Sequence, residues 1–159
     1  HIVAACLKTD PQYGKVDFNT GEIRFYTNKE QQVKRLGIYE NLAEVGVITM
    51  DSLKSSKRYN HTTYLVSFTD KAKEFVLESE TKSIFRNDKN KAIVKTFDYE
   101  VGEVKEVHEI PSMNAADVTV IYEKKNKTPF FGLSRDEADF ITKKVAFRKT
   151  SDDGWRFCD

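Results

Sequence analysis

VKRLGIYENLAEVGVITM (residues 33–50), DSLKSSKRYN (51–60) and HTTYLVSFTDKAKEFVLES (61–79) follow one another without a break. In the first piece Val33, Leu36, Tyr39, Leu42, Ala43 and Val45 recur at helical spacing, which predicts an amphipathic helix. Asn28 stands three residues before Gln31, the spacing of a capping box. Gly46 suits the left-handed residue that commonly ends a helix. Val47 to Met50 then predicts a strand, and 51–61 a basic, polar loop. Thr62 to Phe68 is rich in β-branched and aromatic residues and predicts a second strand. Ser67 or Thr69 is placed to cap a further helix carrying Ala72, Phe75 and Val76. The order is helix, two-stranded wing, helix.

On the N-terminal side, Val16 and Phe18 alternate, as do Ile23 and Phe25, and Asn19-Thr20-Gly21 between them suits a hairpin turn. On the C-terminal side the chain turns to strand patterns. Ile93 to Tyr99 and Val104 to Ile110 are two; Asp117 to Tyr122 is the most regular. There Val118, Val120 and Tyr122 point one way and Thr119 and Ile121 the other. Ser134 and Glu137 form a capping box that predicts a short helix through Ala138 and Phe140. Lys144 to Lys149, a turn with Asp153-Gly154, and Trp155 to Phe157 predict a closing hairpin. The charged run Asn87 to Lys91 is the natural seam, giving a subdomain at 1–88 and another at 89–159. The expected class is α+β: a winged-helix-like N-terminal half packed on an antiparallel β-rich C-terminal half.

Residues 33–79 resemble the recognition-helix, wing and following-helix segment of winged-helix regulators of the MarR type. The match rests on Leu42 to Ile48, on the wing residues Lys54, Lys57 and Arg58, and on Tyr64 to Lys71, with Ala72 where that family usually has Gly. The resemblance implies that Lys34 and Arg35 would face a DNA groove, while Lys54, Lys57, Arg58 and His61 would meet phosphates. Glu40 and Glu44 on the same helix oppose that use. The C-terminal half loosely resembles β-rich domains of bacterial lipoproteins.

The chain has 159 residues, 39% of them hydrophobic, which is enough to build a core and argues against disorder. Its 26 basic and 25 acidic residues give a formal net charge of +1. Duplex-binding domains usually carry a clear basic excess, because phosphate contacts supply most of their affinity. No apolar run reaches the roughly 20 residues of a membrane-spanning helix. The two cysteines, Cys6 and Cys158, stand near opposite ends. A disulfide between them would place the protein outside the reducing cytoplasm. Val3-Ala4-Ala5-Cys6 has a second reading, the end of a lipoprotein signal with a lipid on Cys6. The two fates exclude each other.

Chemistry-bearing residues do not gather into a known catalytic pattern. Asp152-Asp153 beside Gly154 read as turn formers. On a strand Glu106 and His108 share a face and Glu109 does not, which leaves too few ligands for a metal. No metal or cofactor is expected. Thr128 to Leu133 is an apolar loop between charged stretches, either a lid on the core or a contact loop. The expectation is a non-enzymatic bacterial extracytoplasmic domain, in the periplasm or cell envelope, acting through protein contacts. Its candidate surface is Lys54, Lys57, Arg58 and His61 together with Phe130 and Phe131. The alternative is a cytoplasmic DNA-binding winged-helix regulator.

Overall fold

A computed structural model describes residues 13–80, 90–150 and 154–157. Cys6, Cys158, Asp152, Asp153 and most of the expected seam at Asn87 to Lys91 lie outside the described residues. The described chain is mostly antiparallel strand with one α-helix, so the expected class of a winged-helix half on a β-rich half is corrected. The chain falls into two compact units. One holds described residues 15–80, 90–96 and 127–137; the other holds 13–14, 97–126, 138–150 and 154–157.

The helix-bearing unit contains β1 (Tyr13–Tyr26, from Lys15 on), α1 (Glu30–Glu44), β2 (Ile48–Ser56), β3 (His61–Phe68), β4 (Val76–Glu80) and the start of β5 (Asn90–Ile110). β3 pairs antiparallel with both β1 and β2, and β4 pairs antiparallel with β5. The strand order runs β2-β3-β1-β5. The expected hairpin at Asn19-Thr20-Gly21 is instead one unbroken strand. Burial follows Phe18 and Thr20, then shifts phase to Ile23 and Phe25. Gly21 sits at φ 88 where the phase changes. The glycine supplies a left-handed residue within a strand that continues rather than reverses.

Helix α1 forms as the periodicity predicts and buries Tyr39 and Leu42, while Val33 and Val45 stay exposed at 48% and 45%. Its apolar stripe is therefore narrower than the six spaced residues suggest. The helix following β3 is absent, and a single 3-10 turn at Asp70–Ala72 stands in its place. The cause is local. Thr69 does not cap; its Oγ1 donates to the Gly46 carbonyl at 2.6 Å and its N–H to the Val47 carbonyl at 3.1 Å. Lys71 Nζ donates to the Val45 carbonyl at 2.8 Å. Residues 69–71 are thus tied to the end of α1, and Val76 leaves into β4 against Val94.

The core of this unit is largely aromatic. Phe18 stacks on Tyr39 at 4.8 Å and meets Phe130 edge-on at 5.4 Å. Phe130 comes from a 3-10 turn, Pro129–Leu133, that Thr128 starts. Thr128 Oγ1 accepts from the Phe130 N–H and donates to the Lys95 carbonyl. The Ser134 N–H closes that turn on Phe131, and no helix begins at Ser134. The real helix-start signal was Thr128-Pro129, with proline in the first turn where its missing N–H costs nothing.

The second unit contains the rest of β5, β6 (Ala115–Lys125), β7 (Phe140–Thr150) and β8 (Gly154–Phe157), paired antiparallel in that order. Val118, Val120 and Tyr122 are buried on one face, as the alternation predicts, with Val145 and Phe147. The closing hairpin forms with Phe147 opposite Phe157. Val104 to Ile110 is not a separate strand; it continues β5 through two register shifts, at Val101/Glu103 and Val104/Glu106.

Candidate functional site

The expected polar loop at 51–61 is mostly sheet. β2 runs to Ser56 and β3 begins at His61, leaving only Lys57 to Asn60 as the turn. Asn60 adopts φ 51, a left-handed conformation that asparagine tolerates better than most residues. The Asn60 carbonyl accepts from the Thr27 N–H at 2.8 Å, which pins the turn to the end of β1. Ser56 Oγ accepts from the Tyr59 N–H at 3.3 Å. Between Ser52 and Lys54 the β2–β3 register shifts, and Leu53 is the extra, exposed residue.

This frame places the expected residues clearly. Lys54 is exposed on β2 just past the bulge, Lys57 and Arg58 are exposed on the turn, and His61 is half-buried as the first residue of β3. Phe130 is 0% exposed, so its role is the lid over the core and not an outward contact. Phe131 is half-buried with Lys127 Nζ 4.7 Å from its ring. The two expected patches do not form one surface. Phe130 packs against Phe68 at one end of β3, and His61 stands at the other end. At about 3.3 Å per residue that separates them by roughly 23 Å.

The helix residues expected to face DNA are also engaged elsewhere. Arg35 lies over the rings of Phe25 and Tyr39, at 5.7 and 5.5 Å, and Lys34 pairs with Glu30 at 3.1 Å. The described residues contain no group of three or more metal-ligating side chains.

The hairpin end carries a series of three rings with a cation at each end. The Arg58 guanidinium is 5.5 Å from the Tyr59 ring, and Tyr59 lies nearly parallel to His61, 12° apart with centroids at 6.4 Å. His61 meets Tyr26 edge-on at 6.2 Å, and Lys29 Nζ is 4.7 Å from the Tyr26 ring. Tyr59 is 63% exposed. Exposed cation–π contacts contribute only about 0.5–1 kcal/mol each, so this series adds little to folding. What it does is gather five large side chains at one end of the hairpin. Rigid aromatics and arginines are the side chains that dominate binding energy at protein interfaces.

Tyr26 and Lys29 escape a linear reading. They join the hairpin only because the β1–β3 register sets Tyr26 opposite His61. The aromatic alternation at the end of β1 was the one available hint. Comparison with known proteins finds no matching family model, no matching curated protein and no matching solved structure.

Proposed function

We propose that this chain is a non-enzymatic bacterial extracytoplasmic domain that works by protein contact through the β2–β3 hairpin. The observation that supports it is the series Arg58, Tyr59, His61, Tyr26 and Lys29, fixed at the hairpin end with Lys54 and Lys57 alongside. Such a surface combines apolar ring faces with charge, and it is small enough to serve as an anchor within a standard interface. The extracytoplasmic part rests on the two cysteines. A lipid on Cys6 or a bond from Cys6 to Cys158 each belongs outside the reducing cytoplasm. Among the described residues β1, and no pair of bracing helices, precedes α1, so they add nothing to the DNA-binding alternative.

Expression of the full-length gene in its bacterial host, followed by fractionation and mass measurement, tests this reading. The expected product sits in the envelope and either carries a lipid on Cys6 or is two protons lighter than its reduced form. The expected partner is a protein that the Lys57→Glu, Arg58→Glu variant no longer recovers while its circular dichroism stays native. Recovery from the cytoplasm, with salt-sensitive binding of duplex DNA that the same variant abolishes, would contradict it.

A further inference from the structure

The face of β1, β3 and β2 that carries Tyr26 and His61 holds a second feature one row along. Arg24 stands opposite Thr63 across β1 and β3, and Lys54 stands opposite Thr63 across β3 and β2. Directly paired residues of antiparallel strands point to the same side. With strands about 4.8 Å apart, the two basic residues rise roughly 10 Å from each other with Thr63 midway. Arg24 and Lys54 are exposed and make no ion pair among the described residues.

Thr63 is 8% exposed, and its Oγ1 has no hydrogen-bond partner. His61, two residues earlier on the same face, also leaves a buried ring nitrogen, Nδ1, without one. Buried polar atoms are nearly always paired, and an orphan lowers stability. An orphan hydroxyl midway between two cations, with the second orphan one row along between Tyr26 and Ser56, suits a group that brings both negative charge and acceptor oxygens.

We propose that this row is a carboxylate seat, which takes an aspartate or glutamate side chain from an extended acidic segment of a partner protein. The inference rests on the protein-contact reading above. The carboxylate accepts from Thr63 Oγ1 and lies between the Arg24 guanidinium and the Lys54 ammonium. Arginine can hold such a group with two parallel bonds. The rings of Tyr26 and His61 form one wall. On the other side the next row is Glu22, Leu65 and Asp51, whose paired positions put two carboxylates beside an exposed leucine. That acidic row repels a chain charged at every unit, as a nucleic acid is. It admits a peptide whose acids are spaced and whose side chain two positions on, the next to face the sheet, is apolar. The seat thereby selects an acidic peptide over a polynucleotide.

A fluorescent peptide of about eight residues with the repeat Glu-Ser-Val-Ser, a typical strand length, sets glutamate and valine two positions apart on one face of an extended chain; titrated against the full chain, it tests the seat. Binding is expected to weaken about tenfold or more in Arg24→Ala and in Lys54→Ala, and about tenfold in Thr63→Val. A glutamine-for-glutamate peptide is expected not to bind. Thr63→Val keeps the β-branched shape and removes the orphan hydroxyl. It is therefore expected to raise the melting temperature of the free protein while it lowers affinity, an outcome that a purely structural Thr63 would not give. Wild-type affinity in Thr63→Val, equal binding of the glutamine peptide, or tighter binding of a single-stranded oligonucleotide through Arg24 and Lys54 would each overturn the proposal. If the seat variants lose nothing but cross-linking of a partner protein at Tyr59 persists, the seat fails and the hairpin reading stands. If the cross-link is also absent, both fail.

Discussion

Tyr39 shows how much one side chain of α1 does. Its ring stacks on Phe18 and meets Phe25 edge-on at 5.3 Å, and its hydroxyl donates to the Asn19 carbonyl at 2.9 Å. That bond ties α1 to β1 two residues before Gly21. Tyr39→Phe removes the hydroxyl and leaves the Asn19 carbonyl without this donor, so unfolding in urea is expected to come earlier by about 1 kcal/mol. Burial pushes the Tyr39 hydroxyl's pKa up from its ordinary 10.0, against the opposing pull of Arg35. A raised pKa means the folded chain holds its proton longer than the unfolded one. The resulting stability is whole below pH 10.0 and falls as the pH climbs from there through the folded-state value. Melting curves taken from about pH 9 to about pH 11 are expected to show a smaller alkaline decline in Tyr39→Phe than in the wild type. An identical decline would mean that Tyr39 does not carry it.

Helix α1 ends on a motif that the sequence announced. The Gly46 N–H donates to the Ala43 carbonyl at 3.0 Å and the Val47 N–H to the Leu42 carbonyl at 3.1 Å, with Gly46 at φ 85. This paired pattern is the Schellman end of a helix. A Cβ at Gly46 would meet only Lys71 Cδ at 3.9 Å, so the cost of Gly46→Ala is one of backbone conformation and not of crowding. It is expected to destabilise by about 1–2 kcal/mol. Gly37, inside the same helix, has nothing within 4 Å of such a Cβ. Gly37→Ala is expected to stabilise by roughly 0.5–1 kcal/mol, since alanine is the better helix former. Urea midpoints of the two variants moving in opposite directions would bear this out; both moving the same way would refute it. The elements legible in sequence were those fixed by their own neighbours: α1, its glycine exit, β3, β6 and the β7–β8 hairpin. The misread elements were decided by distant partners. Thr69 carries a capping side chain that bonds Gly46 instead, and Asn19-Thr20-Gly21 has turn chemistry inside a strand that β3 keeps continuous by its pairing from Gly21 to Tyr26.

Across the full chain, the same distinction governs what could be foreseen of the surface. Lys54, Lys57, Arg58 and His61 could be grouped from the sequence because they fall within one short stretch. Arg24, Tyr26, Lys29 and Thr63 joined them only through strand register, which no local pattern encodes. Phe130 was misjudged because an apolar loop reads alike whether it covers a core or meets a partner, and its 0% exposure decides for the core. The helix-bearing unit thus gathers Arg58, Tyr59, His61, Tyr26 and Lys29 beside the turn of the β2–β3 hairpin, at the opposite end of β3 from Phe68 and Phe130. A photo-reactive amino acid placed at Tyr59 in the full-length protein, activated in living bacteria, puts the hairpin's role to trial. One discrete protein adduct is expected, lost when Lys57→Glu and Arg58→Glu are added and absent when the probe is moved to the exposed Lys73. Adducts to nucleic acid, or a protein adduct indifferent to those two substitutions, would show that the hairpin is not a protein-binding surface.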